Sequence, residues 1–539
     1  MITKANKRVK DTKSAFFIVI WLIFIGTVLF LSYFLYTHFN KLVDSDISSE
    51  LILARQLADE KSIISRNWYY ATELHVFSAQ LVYEFLFLLF SNWLKIRIAG
   101  CVMCYVILLF SAKCLCRSLG ISRLFPVIGI FMMIPFSYDY FEFVLMNVYY
   151  IPNLVFLLLV ISIAISVMNS KNHKNILITL SALLSVACGT NGARMILMLF
   201  IPLFLTAILN RVLSVKTNGL NITNMMYKSN RLLLISIVDT IGVVLGYLIN
   251  AVILSKNYYF LKWNVSLHGI TFDNMPKVLS GFARELGYSS GTNTAQAYIA
   301  DFFSVAVIAL TVFFIIYALT HKEKISDGFF IISLFTLFAV IVFIGLYLVA
   351  DMLYWDRYNI PIIICSFFVI LCGLQEYKTT KFRNSKAVLL CTLAVLMVIT
   401  ASMQYWTISR MDKTKELRAI AEWLPENGYY NGYATYWNAN VLTELSNGQE
   451  EMYSWVDAGQ EGGNLMETVS DPTHIFKWLQ PMSHSENKPE GKVFMLLTGD
   501  EAKYCQWKLD YSHVVWGTDN YIIYGFDSFD DYLASTTGS

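Results

Sequence analysis

Three carboxylates stand close together near the start of the chain, in the stretch Val43-Asp44-Ser45-Asp46-Ile47-Ser48-Ser49-Glu50. Asp46 and Glu50 are four residues apart, so a helix places them on one face. Helix capping explains one of the three, because Asp is favoured where a helix begins. Three like charges beside an apolar segment need a further reason. Asp44 and Asp46 are therefore candidates to hold a divalent metal, Mg or Mn, or to supply a catalytic base.

A group of aromatic and charged residues follows, in Ser65-Arg66-Asn67-Trp68-Tyr69-Tyr70-Ala71-Thr72-Glu73-Leu74-His75. Aromatic faces stack on the CH groups of a sugar, while carboxylates bind its hydroxyls. Trp68, Tyr69, Tyr70 and Glu73, together with Glu50, are therefore candidate substrate contacts. The alternative is an aromatic belt at the membrane–water interface, which is also rich in Trp and Tyr.

Two arginines stand next to apolar segments, Arg194 after Gly189-Thr-Asn-Gly-Ala and Arg357 in Tyr354-Trp-Asp-Arg-Tyr358-Asn-Ile-Pro361. Arginine at a membrane boundary is costly unless it is paired. A salt bridge to Asp356 is one explanation for Arg357. The other is a clamp on a lipid phosphate, formed by Arg194, Arg357 and Tyr358. Further candidate substrate contacts from neighbouring loops are Asp139, Lys262 and His268.

The composition shows which elements must position these residues. Of 539 residues, 56% are hydrophobic and 15% are charged, against roughly 25% charged in soluble proteins. This composition excludes a soluble enzyme, a disordered chain and a collagen-like fibre, and it indicates a multi-pass membrane protein. The basic loop clusters fall on one side of the membrane if Val76–Phe90 lies along the outer surface instead of crossing. Eleven spans follow, near 15–36, 96–116, 121–139, 145–168, 175–190, 194–212, 232–254, 301–319, 329–350, 358–375 and 387–405.

This register places the N-terminus in the cytoplasm, and it places the loop 37–95 and everything after residue 405 outside. We predict a mostly α transmembrane bundle over 1–405 and a small extracytoplasmic α/β domain over 406–539. The second part is acidic, with nine Lys and Arg against 20 Asp and Glu. Within it we predict a helix at Asp412–Trp423, strands at Gly432–Trp437 and Lys492–Thr498, short helices at His474–Leu479 and Asp500–Trp507, and a hairpin formed by Tyr511–Trp516 and Tyr521–Phe526.

A cytoplasmic N-terminus, one span and an outer loop with an acidic motif and surface helices resemble the GT-C superfamily of membrane glycosyltransferases. Four motifs resemble one bacterial group of that superfamily. They are Asp44-Ser-Asp46 with Ala54-Arg-Gln-Leu57, Trp68-Tyr-Tyr-Ala-Thr-Glu73-Leu, Arg357-Tyr-x-x-Pro361 and Gly432-Tyr-Ala-Thr-Tyr-Trp437-Asn-Ala-Asn-Val-Leu-Thr443.

The resemblance implies a polyprenyl-phosphate-linked sugar donor, an acceptor hydroxyl and inversion at the anomeric carbon. It also implies that Asp44 or Asp46 is the base and that Arg194 and Arg357 bind the donor phosphate. We expect a cell-wall or surface polysaccharide or a glycolipid as acceptor, at the outer face of a plasma membrane, and no nucleic-acid partner. The Trp-Trp-Asp-Tyr-Gly type of signature is absent from the sequence, so transfer of whole glycans to asparagine is not expected.

Two other functions stay open from the sequence. A flippase or transporter of a lipid-linked sugar would carry ionisable groups at mid-span, where this sequence offers Asp239. A polysaccharide polymerase or ligase would use a diphosphate-linked glycan and a large outer loop in the second half of the chain, whereas the acidic motif here lies in the first loop.

Overall fold

Long apolar helices make up most of the protein. The structure, a computed structural model, describes residues 2–72, 74–170, 174–218, 228–260, 266–289, 294–377, 383–455, 473–504 and 510–537. The helices are α1 (Ile2–Leu42), α2 (Ser45–Glu60), α3 (Gln80–Phe87), α4 (Trp93–Ser118), α5 (Phe125–Met132), α6 (Tyr138–Tyr140), α7 (Ile151–Asn169), α8 (Lys174–Gly189), α9 (Ile201–Asn218), α10 (Lys228–Leu248), α11 (Met275–Arg284), α12 (Ala295–Thr320), α13 (Asp327–Val349), α14 (Ile360–Glu376), α15 (Arg383–Ser409), α16 (Lys415–Glu426), α17 (Tyr436–Leu445), α18 (Ser483–Glu486), α19 (Gly499–Tyr504) and α20 (Phe529–Thr537).

Within these ranges, nine helical segments are long and apolar enough to cross a membrane, so the chain is a multi-pass membrane protein. They are Phe17–Leu42, Trp93–Ser118, Ile151–Asn169, Ile196–Ser214, Lys228–Lys256, Ala295–Thr320, Asp327–Val349, Asp356–Glu376 and Val388–Ser409. Each matches one of the eleven predicted spans. The other two predicted spans coincide with shorter apolar helices, Ser122–Met132 and Lys174–Gly189. At 1.5 Å per residue, neither reaches the roughly 30 Å of a hydrocarbon core. Helix α3 has eight residues and is also too short to cross.

Helices α8 and α10 approach each other closely through glycines. A Cβ atom on Gly246 would lie 2.1 Å from the carbonyl oxygen of Val186, and one on Gly189 would lie 2.2 Å from that of Val243. Small residues allow this backbone contact, which is a common way of packing helices inside a membrane. Beside it, the hydroxyl of Ser185 donates to Asp239 at 3.1 Å, so this mid-span carboxylate has an interhelical partner.

The contacts divide the chain into two compact units. Unit 1 consists of residues 1–33, 101–253 and 263–410, and unit 2 of residues 34–100, 254–262 and 411–539. This division differs from the predicted boundary at 405, because the first outer loop belongs with the C-terminal part. Helix α2 packs against α17, which is distant in sequence, and local sequence patterns do not predict such a contact.

Strands occur mainly in unit 2. They are β1 (Trp68–Tyr70), β2 (Tyr259–Phe260), β3 (Ser266–Leu267), β4 (Ala350–Asp351), β5 (Asn431–Thr435), β6 (Glu451–Trp455), β7 (Gln480–Pro481), β8 (Val493–Thr498), β9 (Val514–Gly517) and β10 (Tyr521–Phe526). Five of them form a mixed sheet in the order β6-β5-β8-β10-β9. Strand β5 is parallel to both β6 and β8, and β10 is antiparallel to β8 and β9. Strand β1 lies between β2 and β7 in a smaller sheet.

The C-terminal domain is α/β, as predicted, with one wrong element. Helix α16 buries Leu417, Ile420 and Leu424 on one face, which confirms the amphipathic pattern. Strand β8, helix α19 and the β9–β10 hairpin also lie where they were predicted. His474–Leu479 is irregular instead of helical. Its backbone leads into β7, and the amide of Leu479 donates to the carbonyl of Tyr69 at 2.7 Å, a pairing with distant residues that overrides the local helical pattern.

Candidate functional site

Asp44, Asp46 and Glu50, which we call the acidic cluster, occupy the first turns of α2 in unit 2. Asp44 is the N-cap: its backbone is extended at φ −127°, and its Oδ1 accepts a hydrogen bond from the amide of Ile47 at 2.9 Å. An Asp in this position satisfies an amide that the helix itself leaves open, and its charge suits the helix dipole. The capping explanation is therefore correct for Asp44.

Asp46 is the exposed member of the acidic cluster. It accepts a hydrogen bond from the hydroxyl of Tyr436, the first residue of α17. The hydroxyl of Ser45 in turn donates to the backbone carbonyl of Tyr436. Two hydrogen bonds in opposite directions therefore join the start of α2 to the start of α17.

Glu50 is 7% exposed, and its Oε2 has no hydrogen-bond partner. Burial raises the pKa of Glu50 to about 8; Arg97 opposes this rise, and Asp46, Glu444 and Asp44 add to it. A carboxyl with that pKa is mostly protonated at neutral pH, so Glu50 contributes an O–H group and no charge to the cluster.

Arg97 supplies the positive charge beneath the acidic cluster. It is fully buried and forms a two-pronged ion pair with Glu444, from Nε to Oε1 at 3.1 Å and from Nη2 to Oε2 at 2.8 Å. Nη2 also donates to the carbonyl of Ile47 at 2.9 Å. The guanidinium lies 4.9 Å from the ring centre of Tyr83 and 5.2 Å from that of Phe39. Both charges are thus buried and paired with each other, while Nη1 of Arg97 has no hydrogen-bond partner among the described residues.

The predicted metal site finds no support in this arrangement. Across the described ranges, no group of three His, Cys, Asp or Glu side chains is placed to hold a metal ion. Asp44 is engaged as a cap, Asp46 accepts a hydrogen bond from a phenol, and Glu50 is buried. These donors do not fit a divalent ion, and we derive no step through one.

Trp68, Tyr69 and Tyr70 do not form a sugar-stacking surface or an interfacial belt. All three lie in β1 and are buried, Trp68 completely. The hydroxyl of Tyr69 donates to Ser485 at 3.0 Å, and that of Tyr70 accepts from the amide of Ser65 at 3.0 Å. Strand β1 is the central strand of a three-stranded sheet, and the rings of Trp68 and Tyr70 pack in the hydrophobic core beside it.

In unit 1, Arg194, Arg357 and Tyr358 come together as predicted, although 163 residues separate the two arginines. Both guanidinium groups lie against the ring of Tyr358, that of Arg194 at 5.7 Å and that of Arg357 at 6.0 Å from its centre. Arg357 also lies 4.2 Å from the ring centre of Phe143 and 4.8 Å from that of Trp355. We call this group the basic–aromatic cluster.

Arg357 does not pair with Asp356. The Asp356 carboxylate is held on both oxygens by Arg284, at 2.6 Å from Nε and 2.7 Å from Nη2. Within the part of the chain that the structure describes, no carboxylate oxygen lies within 4.0 Å of the Arg357 guanidinium. The sequence alternative of a salt bridge between neighbours is therefore wrong, and Arg357 keeps its hydrogen-bonding capacity for another anion.

The backbone around the basic–aromatic cluster is irregular. A 3₁₀ turn at Asp356–Asn359 leads into α14, whose first turn contains Pro361, where proline is best tolerated. π-Helical segments occur at Phe141–Met146 and at Ile196–Phe200, directly after Arg194. Val148 has φ 56°, a strained conformation for a β-branched residue. Such irregularities concentrate at functional sites.

Two carboxyl groups stand near Arg357. Burial raises the pKa of Asp139, against the opposing charge of Arg357. Burial also raises the pKa of Glu285 well above its usual range; Asp139 adds to this rise, and a hydrogen bond from Ser137 at 3.0 Å opposes it. Glu285 keeps one oxygen buried without a partner. The basic–aromatic cluster itself contains two guanidinium groups and no carboxylate.

The remaining predicted contacts are less informative. His268 is exposed, and its Nδ1 lies 2.6 Å from the carbonyl oxygen of Gly269. Glu73 and Lys262 lie outside the described residues. Sequence reasoning did not select Tyr436, Arg97 or Glu444, and it noted Arg284 and Glu285 only as charged residues of the loop 255–300. Only the apolar setting of Arg97, a charge inside a predicted span, offered a signal.

Comparison with known proteins shows similarity of this chain to solved structures only. No family model matches the chain, and no curated protein matches it. Among solved structures, the chain is similar to ArnT from Cupriavidus metallidurans bound to undecaprenyl phosphate, at 12% identity and a TM-score of 0.49, over 94% of this chain and 97% of that one. It is also similar to the Archaeoglobus fulgidus oligosaccharyltransferase in complex with zinc and sulfate, at 11% identity and a TM-score of 0.47, over 89% and 69% of the two chains. Because both TM-scores lie below 0.5, the function has to be inferred from the chemistry of the two clusters.

Proposed function

We propose that this protein is a membrane glycosyltransferase of the GT-C type, which moves a sugar from a polyprenyl-phosphate donor to an acceptor hydroxyl with inversion. The observation that carries the proposal is the state of Arg357. Its guanidinium lies among three aromatic rings and has no carboxylate partner among the described residues, while Asp356 is occupied by Arg284.

A phosphate group suits the basic–aromatic cluster. Arg194 and Arg357 both lie against the ring of Tyr358, and α14 begins three residues after Arg357. The amide of Ile360 is bonded to the carbonyl of Arg357 and Pro361 has no amide hydrogen, so the two guanidinium groups are the donors that we assign to the phosphate. Guanidinium groups bind phosphate oxygens in pairs, and the dipole at the N-terminus of a helix favours an anion. The tail of a polyprenyl phosphate would remain in the lipid while its phosphate engages these donors. A soluble nucleotide sugar has no lipid tail that would hold it beside the membrane spans.

The acidic cluster supplies the base. Asp44 is committed to the cap of α2, whereas the Asp46 carboxylate is exposed, so we assign the role of base to Asp46. In the proposed reaction, Asp46 takes the proton of the acceptor hydroxyl, and the oxygen of that hydroxyl forms a bond to C1 of the sugar with inversion. The bond from C1 to the phosphate oxygen breaks, and the polyprenyl phosphate leaves with the electron pair. Arg357 and Arg194 stabilise the charge that develops on the phosphate.

We further propose that the reaction takes place at the outer face of a bacterial plasma membrane, with a cell-wall or surface polysaccharide or a glycolipid as acceptor. The basic loop clusters of the sequence support this orientation. The sheet domain of unit 2 would position the acceptor.

The proposal is tested with a deletion strain of the source bacterium, which should lose one side-chain sugar while the polysaccharide backbone is kept. A lipid extract of that strain, in which the unused donor accumulates, then serves as substrate for the purified protein. Wild-type protein should release polyprenyl phosphate in the presence of acceptor from the same strain. Arg357→Ala should reduce the rate about 10²–10³-fold, and Arg357→Lys should keep part of it.

Arg410→Ala is the matched control, because Arg410 also stacks on an aromatic ring, that of Trp406 at 3.9 Å, but lies outside the cluster. Its rate should stay near that of wild type. If wild-type protein releases no polyprenyl phosphate, or if Arg357→Ala is as active as Arg410→Ala, the proposal is wrong.

One observation favours a second function, a flippase for a lipid-linked sugar. Asp239 is fully buried in α10, and one of its oxygens has no partner. Its hydrogen bond from Ser185 links α8 and α10, which gives it a structural role as well. Reconstituted vesicles decide between the two functions: a flippase moves the lipid-linked sugar between leaflets and leaves its sugar–phosphate bond intact, whereas a transferase breaks that bond. A polymerase or ligase would instead require a diphosphate-linked donor in the same assay.

A further inference from the structure

We infer that Tyr436 is the positioning residue for Asp46, so that a helix of the C-terminal domain completes the acidic cluster. The inference rests on the proposed function, because it gives Asp46 the role of base. It changes the role of the C-terminal domain, which would then take part in the chemistry as well as in the placement of the acceptor.

The geometry around Tyr436 is reciprocal. Its hydroxyl donates to the Asp46 carboxylate, and its backbone carbonyl accepts from the hydroxyl of Ser45. Tyr436 is completely buried, whereas Asp46 is exposed. A rigid buried phenol thus holds a carboxylate that remains accessible to a substrate. This bond favours one rotamer of the short Asp46 side chain.

The same face of α17 makes three such contacts. Tyr436, Asn440 and Glu444 follow each other at intervals of four residues, which places them one above the other on a helix. Asn440 donates to the carbonyl of Leu479 at 3.1 Å and lies 3.5 Å from that of Ser45. Glu444 pairs with Arg97 of α4, which also donates to the carbonyl of Ile47 in α2. Tyr436 is therefore the member of the row with the closest direct contacts to the start of α2, and it reaches the candidate base.

The phenol also affects the charge of the base. A hydroxyl that donates to a carboxylate stabilises the ionised form, which is the form that accepts a proton. The charged and titratable groups of the acidic cluster and its surroundings come from three helices: Asp44, Asp46 and Glu50 of α2, Arg97 of α4, and Tyr436 and Glu444 of α17. Arg97 is paired with Glu444, whereas Tyr436 donates to Asp46 through a direct contact.

The test is Tyr436→Phe in the full-length protein, which removes the hydroxyl and keeps the ring. The substrate is the lipid extract described for the deletion strain, and release of polyprenyl phosphate is followed across pH. We expect kcat to fall about 10- to 100-fold with little change in the KM for the donor lipid. The acid limb of the pH profile should move up by about one pH unit, because the carboxylate loses a hydrogen bond to its ionised form.

Tyr453→Phe is the matched control, since Tyr453 is a buried tyrosine of the same unit whose ring packs against Tyr433 and His484. Its kcat and acid limb should match those of wild type. Ser45→Ala removes the other hydrogen bond to Tyr436. Its kcat shows how much of the change in Tyr436→Phe comes from weaker attachment of α17 to α2. A Tyr436→Phe variant that melts like wild type and keeps the wild-type kcat and acid limb would overturn the inference. Inactive wild-type protein would instead overturn the proposed function.

Discussion

Glu50 gives the most direct test of the acidic cluster, because its effect on stability can be worked out from one pKa. The folded-state pKa is about 8, against an ordinary value of 4.5. Below pH 4.5 the carboxyl is protonated in both states and favours neither. As the pH rises, the unfolded chain loses this proton first, so the free energy of unfolding decreases until the folded pKa is passed.

The size of the decrease follows from the pKa difference. Each pKa unit corresponds to 1.36 kcal/mol, so a shift of this size costs on the order of 4–5 kcal/mol by about pH 9. Glu50→Gln keeps the shape of the side chain and cannot ionise. The variant should therefore resemble wild type at about pH 4.5 and become more stable than wild type as the pH rises through about 8.

The assay is thermal unfolding of the detergent-purified protein at a series of pH values. For a unit of roughly 200 residues, 1 kcal/mol moves the melting temperature by about 2–4 °C, so the difference should reach several degrees at alkaline pH. Glu422→Gln, at an exposed carboxylate of α16, is the control and should show no such trend. A constant difference between Glu50→Gln and wild type across the whole pH range would refute the reasoning.

Three further predictions concern other parts of the fold. Arg97→Met should cost about 3–5 kcal/mol in unfolding free energy, because Glu444 is then buried without a partner. Glu444→Gln should cost less, since Glu50 can ionise and pair with Arg97; equal melting temperatures for the two variants would contradict this. Gly246→Val should abolish folded protein in size-exclusion chromatography, because its Cβ would enter the carbonyl of Val186, and a monodisperse peak of normal yield would show that this packing is wrong. In a cysteine-free background, Asp519→Cys should react with an impermeant thiol reagent on intact cells and Lys324→Cys should not; the reverse pattern would invert the topology.

The spans were predictable from the sequence because they depend on local properties. Length, hydropathy and loop charge are read within a single segment, and the nine long segments lie where these properties place them. The α/β character of the C-terminal domain was also predictable, because strands such as β8 and β10 are apolar runs between turn residues.

The candidate site was less predictable, because its contacts are long-range. Position relative to the spans was enough to select Arg194 and Arg357, although it gave no reason to expect that both lie against the same aromatic ring. The predicted strand at Gly432–Trp437 ends at Thr435 in the structure, and Tyr436 begins a helix instead. The position of this strand end determines which residue forms the hydrogen bond to Asp46. Local propensity predicts the ends of strands and helices poorly.

The sequence did not predict that the three aromatic residues of β1 are buried. Trp68, Tyr69 and Tyr70 were selected for their residue types, which suit a sugar and a membrane interface as well as a protein core. Their burial depends on partners from Tyr259–Phe260 and Gln480–Pro481, which are distant in sequence. The capping of Asp44, in contrast, was readable from the Asp-Ser-Asp pattern, because a cap is a local interaction.

The interleaved composition of unit 2 has a consequence for how the protein is made. Asp46 and Tyr436 are 390 residues apart, so at 5–20 residues per second the ribosome needs about 20–80 s to synthesise the second after the first. During that interval α2 and β1 have left the ribosome without the strand and helix that cover them. Newly made chains should therefore depend on a folding factor that shields this segment. Premature termination anywhere before α17 should yield products that are inserted in the membrane but inactive. Activity should therefore appear only when translation is complete.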